Sequence, residues 1–107
     1  MDETIKAQII DLLKGMATKL APDANLREMY GGLVIELEKD DPKSRVGGIY
    51  AYSDYVSLEL AKGVSFDDPD DVLEGAGKLR RHVKLRSLSD LETKCCQAFL
   101  KQAVSTT

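Results

Sequence analysis

The chain has 107 residues, of which 43% are hydrophobic and 31% charged, and it carries a formal net charge of −3. That length suits one domain closed around one core, and the apolar content offsets the ordering entropy that keeps chains of low hydrophobicity unfolded. No apolar run approaches the roughly 20 residues that span a bilayer, and the mildly acidic balance argues against a whole-surface role in binding nucleic acid or anionic lipid.

In chain order, Ile5, Ile9, Leu12, Leu13, Met16 and Leu20 recur at helical spacing while Lys6, Gln8, Asp11 and Lys14 lie off the stripe, which predicts an amphipathic helix from Ile5 to Leu20. Asp2 or Thr4 supplies its cap and Pro22 ends it. A short strand is expected around Leu26 to Tyr30. From Leu33 to Glu38, Leu33, Ile35 and Leu37 alternate with Val34, Glu36 and Glu38, the period of a half-buried strand. Asp40 to Ser44 has turn chemistry, Val46 to Tyr52 resumes an extended pattern, and Ser53 and Asp54 turn the chain into a further strand over Tyr55 to Leu60. The segment from Gly63 to Gly77, rich in Asp, Gly and Pro, reads as a loop anchored by Phe66 and Leu73, with at most a helical turn near Asp70 to Glu74. His82 to Arg86 alternates again as a last strand. Ser89-Asp90-Leu91-Glu92 then fits a capping box, and Leu88, Leu91, Cys95, Phe99 and Ala103 form the stripe of a C-terminal helix that frays after Val104.

These elements predict an α+β fold: an antiparallel, mostly meander sheet of four or five strands, with the N-terminal and C-terminal helices packed on one face in two layers. The other face is expected to be polar and partly open. The functional surface is expected there or on the 63 to 77 loop.

Cys95 and Cys96 are neighbours and point about 100° apart on a helix, so a structural disulfide between them is not expected. With no basic leader at Asp2 and Glu3 and no framework of spaced cysteines, the chain reads as a protein of the reducing cytoplasm with no membrane partner. Cys95, on the apolar stripe, is expected to be buried and Cys96 to be the more exposed thiol.

Glu74-Gly75-Ala76-Gly77-Lys78-Leu79 looks at first like a phosphate loop, but Val72 stands where a P-loop needs glycine and Leu79 where it needs Ser or Thr. Lys78, Arg80, Arg81, His82, Lys84 and Arg86 gather positive charge in nine residues, which suits either an anionic partner or the charged blunting of an edge strand. Asp67, Asp68, Asp70 and Asp71, and separately Glu36 and Glu38 with Glu59 nearby, offer oxygen ligands to a hard cation or ferrous iron; solvated acidic surface explains them more simply. His82 lacks a recognisable nucleophile to activate. Tyr30, Tyr50, Tyr52 and Tyr55 cluster around the meander and could line a small-ligand pocket.

The run Gly48-Ile49-Tyr50-Ala51-Tyr52, followed by Asp54-Tyr55-Val56-Ser57-Leu58, Lys62-Gly63, Asp68-Pro69, Leu73-Glu74-Gly75-Ala76-Gly77-Lys78 and Arg81-His82-Val83-Lys84, resembles the YdhG-like domain-of-unknown-function family 1801. The likeness covers roughly residues 5 to 104 and is most specific over 48 to 91. Met29-Tyr30-Gly31 falls where that family often has an aromatic-glycine-proline step, here without the proline. The resemblance implies an α+β domain and, for some members, a proposed frataxin-like role in delivering iron. The first helix here carries only Asp11 as an acidic residue beyond its start, so the acidic ridge of such a donor is thin.

The function expected from these readings is a non-catalytic binding domain whose open sheet face and 63 to 86 segment meet a small ligand, weakly held iron or a protein partner. Beyond such iron, no cofactor is expected. Candidate metal residues are Glu36, Glu38 and Glu59; candidate ligand or anion residues are Tyr30, Tyr52, Lys78, Arg80, Arg81, His82 and Lys84. The alternatives are anion or nucleic-acid recognition through the basic segment, with nucleic acid the less favoured, and a small-molecule enzyme with a pocket lined by Tyr30, Tyr52 and His82. The expected assembly is a monomer or weak dimer.

Overall fold

The computed structural model describes residues 1–105. Helix α1 (Glu3–Leu20) begins where the Asp2 carboxylate accepts a hydrogen bond from the Ile5 amide at 3.0 Å, so of the two candidate caps it is Asp2 that serves. Its stripe buries Ile9, Leu13 and Ala17, whereas Leu12 stays 48% exposed at the margin of the stripe.

Five strands follow: β1 (Asn25–Met29), β2 (Gly32–Glu36), β3 (Arg45–Ala51), β4 (Val56–Leu60) and β5 (Arg81–Leu85). They form one sheet in chain order with every neighbouring pair antiparallel. This is the meander that the alternating patterns predict, and the α+β class with helices at both ends is as expected. β1 and β2 are joined by Tyr30 and Gly31, whose φ values of 57° and 76° are both left-handed, the backbone of a type I′ hairpin. β2 stops at Glu36, so Glu38 lies beyond the strand, exposed in the following turn.

The β2–β3 register shifts between Ile35 and Glu36: Ile35 opposes Gly47 while Glu36 opposes Arg45, leaving Val46 as the extra residue of a bulge. In a strand without the bulge Arg45 and Gly47, two residues apart, would share a face. The bulge instead turns Arg45 to the side of Glu36 and leaves Val46 buried in the core.

The loop before β5 holds its helical turn at Gly63–Ser65, not near Asp70 to Glu74. There, Asp68 accepts hydrogen bonds from the Val72 and Leu73 amides at 2.8 and 2.9 Å, and Glu74 bridges to His82 as an extended residue. The capping box at Ser89 does not form: Ser89 is already helical in φ and ψ and makes no side-chain cap, while Asp90 accepts from the Arg86 amide.

The C-terminal helix is two pieces, α2 (Asp90–Thr93) and α3 (Cys96–Ser105), separated by Cys95 at φ 58°. That left-handed residue shifts the helical phase, so Cys96 is the fully buried thiol and Cys95 the half-buried one, the reverse of the expectation. Leu88, in the turn before α2, is exposed, whereas Leu91, Phe99 and Ala103 are buried as the stripe predicts. α3 runs past Val104 to Ser105, and Thr106 and Thr107 lie outside the described residues.

α1 and α3 pack on each other and on β3 and β4. Their buried faces meet Ile35, Ile49, Leu58, Leu60, Val83 and Leu85 in one contiguous core. Among the described residues no helix is long and apolar enough to cross a membrane.

Candidate functional site

Residues directly opposed across antiparallel strands share a face. Through the register, Arg27, Val34, Gly48, Glu59 and His82 form a row across the face without helices, and Gly32, Tyr50, Ser57 and Lys84 form the next. Gly48 leaves a gap in the first row between Val34 and Glu59. The Tyr50 ring, two residues on along the same strand, falls across it. A Cβ on Gly48 would sit 2.7 Å from Tyr50 Cε2 and 2.9 Å from the Leu33 carbonyl oxygen, so this tyrosine position requires glycine.

The result is a cavity of about 240 Å³ on the uncovered face. Val34 and Gly48 lie at its base, Tyr30 and Tyr50 form aromatic sides, and Ala61 and Pro42 border it. Arg45, Glu59 and Arg80 bring both signs of charge to its lining. Burial, and to a lesser degree the Glu59 carboxylate, push the Tyr50 phenol above its ordinary pKa. Tyr30 stands over the opening at the hairpin tip, 77% exposed.

Beside the cavity lies a buried ion cluster. Glu36 is fully buried and its carboxylate accepts from Arg45 Nε at 2.8 Å, Arg27 Nε at 3.0 Å, Asn25 Nδ2 at 3.0 Å and the Asp40 amide at 3.2 Å. Arg27 also pairs with Asp40. The hydrogen bond from Arg45 first, and that from Arg27 second, outweigh burial and hold the Glu36 carboxyl down to about 2. Val34, opposite Arg27, and Ser57, between Tyr50 and Lys84, are buried although this face carries no helix, long side chains beside them lying over the sheet.

The expected metal residues are not brought together. Glu36 is committed to its two arginines, Glu38 is exposed beyond the end of β2, and Glu59 lines the cavity. Among the described residues no three or more His, Cys, Asp or Glu side chains are grouped to hold a metal ion. The residues present therefore do not fit an iron cargo site at Glu36, Glu38 and Glu59.

The expected ligand residues divide. Tyr30 and Arg80 line the cavity. Tyr52 does not; it stacks on Tyr55 with ring centroids 4.9 Å apart. His82 is the neighbour of Glu59 in the first row but lies outside the cavity lining, so this cavity does not bring Tyr30, Tyr52 and His82 together. Arg81 points to the other face, where it lies against Gly63 and donates to the Gly77 and Arg80 carbonyls. Lys84 holds its ammonium 5.1 Å from the Tyr55 ring centroid and 3.8 Å from Glu74, and Arg86 shares the same ring at 5.5 Å. Lys78 is exposed in the loop before β5.

Sequence reasoning grouped Tyr50 with the tyrosines that could line a pocket, and the cavity includes it; Arg45 and Gly48 it did not place in the site. The adjacent glycines Gly47 and Gly48 within a strand were the available signal, since glycine in a strand interior marks a bulge or a close approach. No family model, curated protein or solved structure matches the chain.

Proposed function

We propose that this chain is a non-catalytic binding module whose ligand site is the cavity on the uncovered sheet face. The observation that carries this reading is the gap at Gly48, flanked by Tyr30 and Tyr50 and lined by Arg45, Glu59 and Arg80. A concave site with apolar sides and a few convergent polar groups is the usual form of a small-molecule site, and about 240 Å³ lies just below the roughly 300–1,000 Å³ range that holds drug-sized ligands. The ligand is accordingly small. The run from Gly48 to Leu91 that resembles the YdhG-like family builds most of β3 together with β4 and β5, so membership of that family is compatible with this reading. Iron delivery is not favoured, because the carboxylate best placed to attract a cation is already neutralised by Arg27 and Arg45.

Recognition of an anion through the whole basic segment has less support. Arg81 is spent on backbone carbonyls on the opposite face and Lys84 is paired with Glu74.

The test is amide NMR of the full chain titrated with phenol and with pentanol, two neutral probes that fit the cavity. Saturable shifts at Gly48, Tyr50 and Ala61 that disappear in Ala61→Phe are the expected result. Shifts scattered elsewhere, or shifts that survive Ala61→Phe in a folded variant, refute the site.

A further inference from the structure

The chemical class of the ligand follows from which polar groups around the cavity already have partners. Among the described residues the Glu59 carboxylate, the Arg80 guanidinium and the Tyr50 hydroxyl make no hydrogen bond or ion pair. Arg45 spends its Nε on Glu36, leaving the rest of its guanidinium without a protein acceptor. Glu59 and Arg80 line one cavity yet do not pair with each other. Elsewhere on the same face each carboxylate has a partner, Glu36 taking Arg27 and Arg45 and Glu74 taking Lys84, while Arg86 lies over the Tyr55 ring. Unmatched charge of both signs is thus concentrated where the concavity is.

Resting on the reading of the cavity as a ligand site, we propose that it takes a small zwitterion of amino-acid size. Its ammonium meets Glu59, its carboxylate meets Arg80 and the outer guanidinium nitrogens of Arg45, and its aliphatic part lies against Tyr30, Tyr50 and Val34. A simple anion would satisfy the arginines and face the Glu59 carboxylate unscreened. A simple cation would do the reverse. Only a molecule with both charges matches both sets, and charge-assisted hydrogen bonds are the stronger kind. The open-faced setting leaves each charge partly hydrated, which limits the gain from each to about tenfold in affinity.

The experiment compares a homologous set by amide NMR on the full chain. 5-Aminopentanoate and leucine carry both charges at two spacings; pentanoate, pentylamine and pentanol carry one charge or none. At least one zwitterion is expected to bind about tenfold more tightly than pentanoate or pentylamine, and by a larger factor than pentanol, with shifts at Gly48, Tyr50 and Ala61. Glu59→Gln should erase the advantage over pentanoate, and Arg80→Ala the advantage over pentylamine, with the dispersed amide spectrum and Tm of each unliganded variant as the check that it stays folded. If pentanol titrates these amides and neither zwitterion binds more tightly, the ligand class is wrong while the cavity stands. If none of the five, nor phenol, moves them, both readings fall.

Discussion

Tyr30 is a bulky residue in a backbone conformation that suits glycine or asparagine. At φ 57° it occupies the first central position of the β1–β2 hairpin, followed by Gly31 at φ 76°. A left-handed conformation costs an L-residue with an ordinary side chain about 1–2 kcal/mol, and Asn-Gly is the preferred pair for this turn. Against that stands the burial that the ring contributes. With 77% of the residue exposed, little area is lost on truncation, worth about half a kcal/mol at the usual transfer coefficient. Relief of strain therefore wins, and Tyr30→Asn is expected to stabilise the fold by about 1 kcal/mol, or a rise in Tm of roughly 4–8 °C for a domain near this size. Asparagine is a better choice than glycine, which would enlarge the entropy of the unfolded chain. Thermal unfolding followed by circular dichroism measures the shift. The same variant should weaken phenol binding, because it removes one aromatic side of the cavity. Strain held at an exposed aromatic is what a binding site would retain against stability. A Tm unchanged or lowered would refute the reasoning, since the ring would then have to contribute packing that its exposure does not allow.

Glu36 sets the acid limit of the fold. Its carboxyl titrates at about 2, against an ordinary 4.5, so the ionised cluster contributes its full stability above about pH 4.5 and loses it as pH falls through about 2. Glu36→Gln is expected to lower Tm at neutral pH and to flatten the fall of Tm between those two pH values; parallel pH profiles for variant and parent would contradict this. For the cysteines, burial pushes the Cys96 thiol up to about 12, so a thiol reagent at neutral pH should label Cys95 alone in the folded chain and both residues only after unfolding. Cys95→Ser should abolish the native reaction, and labelling of Cys96 in the folded state would show that the phase shift at Cys95 is misplaced.

The sheet was legible because each strand alternates within itself. Val56, Leu58 and Leu60 point to the helices as their spacing demands, as do Val83 and Leu85. Connections short enough to form hairpins join four of the five strands, so the chain order of β1 to β4 followed almost directly. The C-terminal helix was less legible, because nothing in the pattern Leu91, Cys95, Phe99 announces a residue at φ 58°. A helical wheel assumes unbroken phase, and one left-handed residue was enough to exchange the burial of two adjacent thiols.

The candidate site was only half legible, and for a different reason. Alternation tells which side of its own strand a residue faces; it does not tell what stands opposite it on the next strand. Glu36 and Glu38 look equivalent from within β2 and its extension, yet the bulge at Val46 delivers Arg45 to Glu36 alone, and the strand ends before Glu38. One becomes a fully buried, doubly paired carboxylate and the other remains in water. The cavity has the same origin. Val34, Gly48 and Glu59 are remote in sequence and become a row only through register, and it is the missing side chain in the middle of that row that makes room for the Tyr50 ring beside a cavity lined by both Glu59 and Arg80. What the face recognises is thus decided by pairing between strands, at a glycine and a bulge where the regular pattern is interrupted.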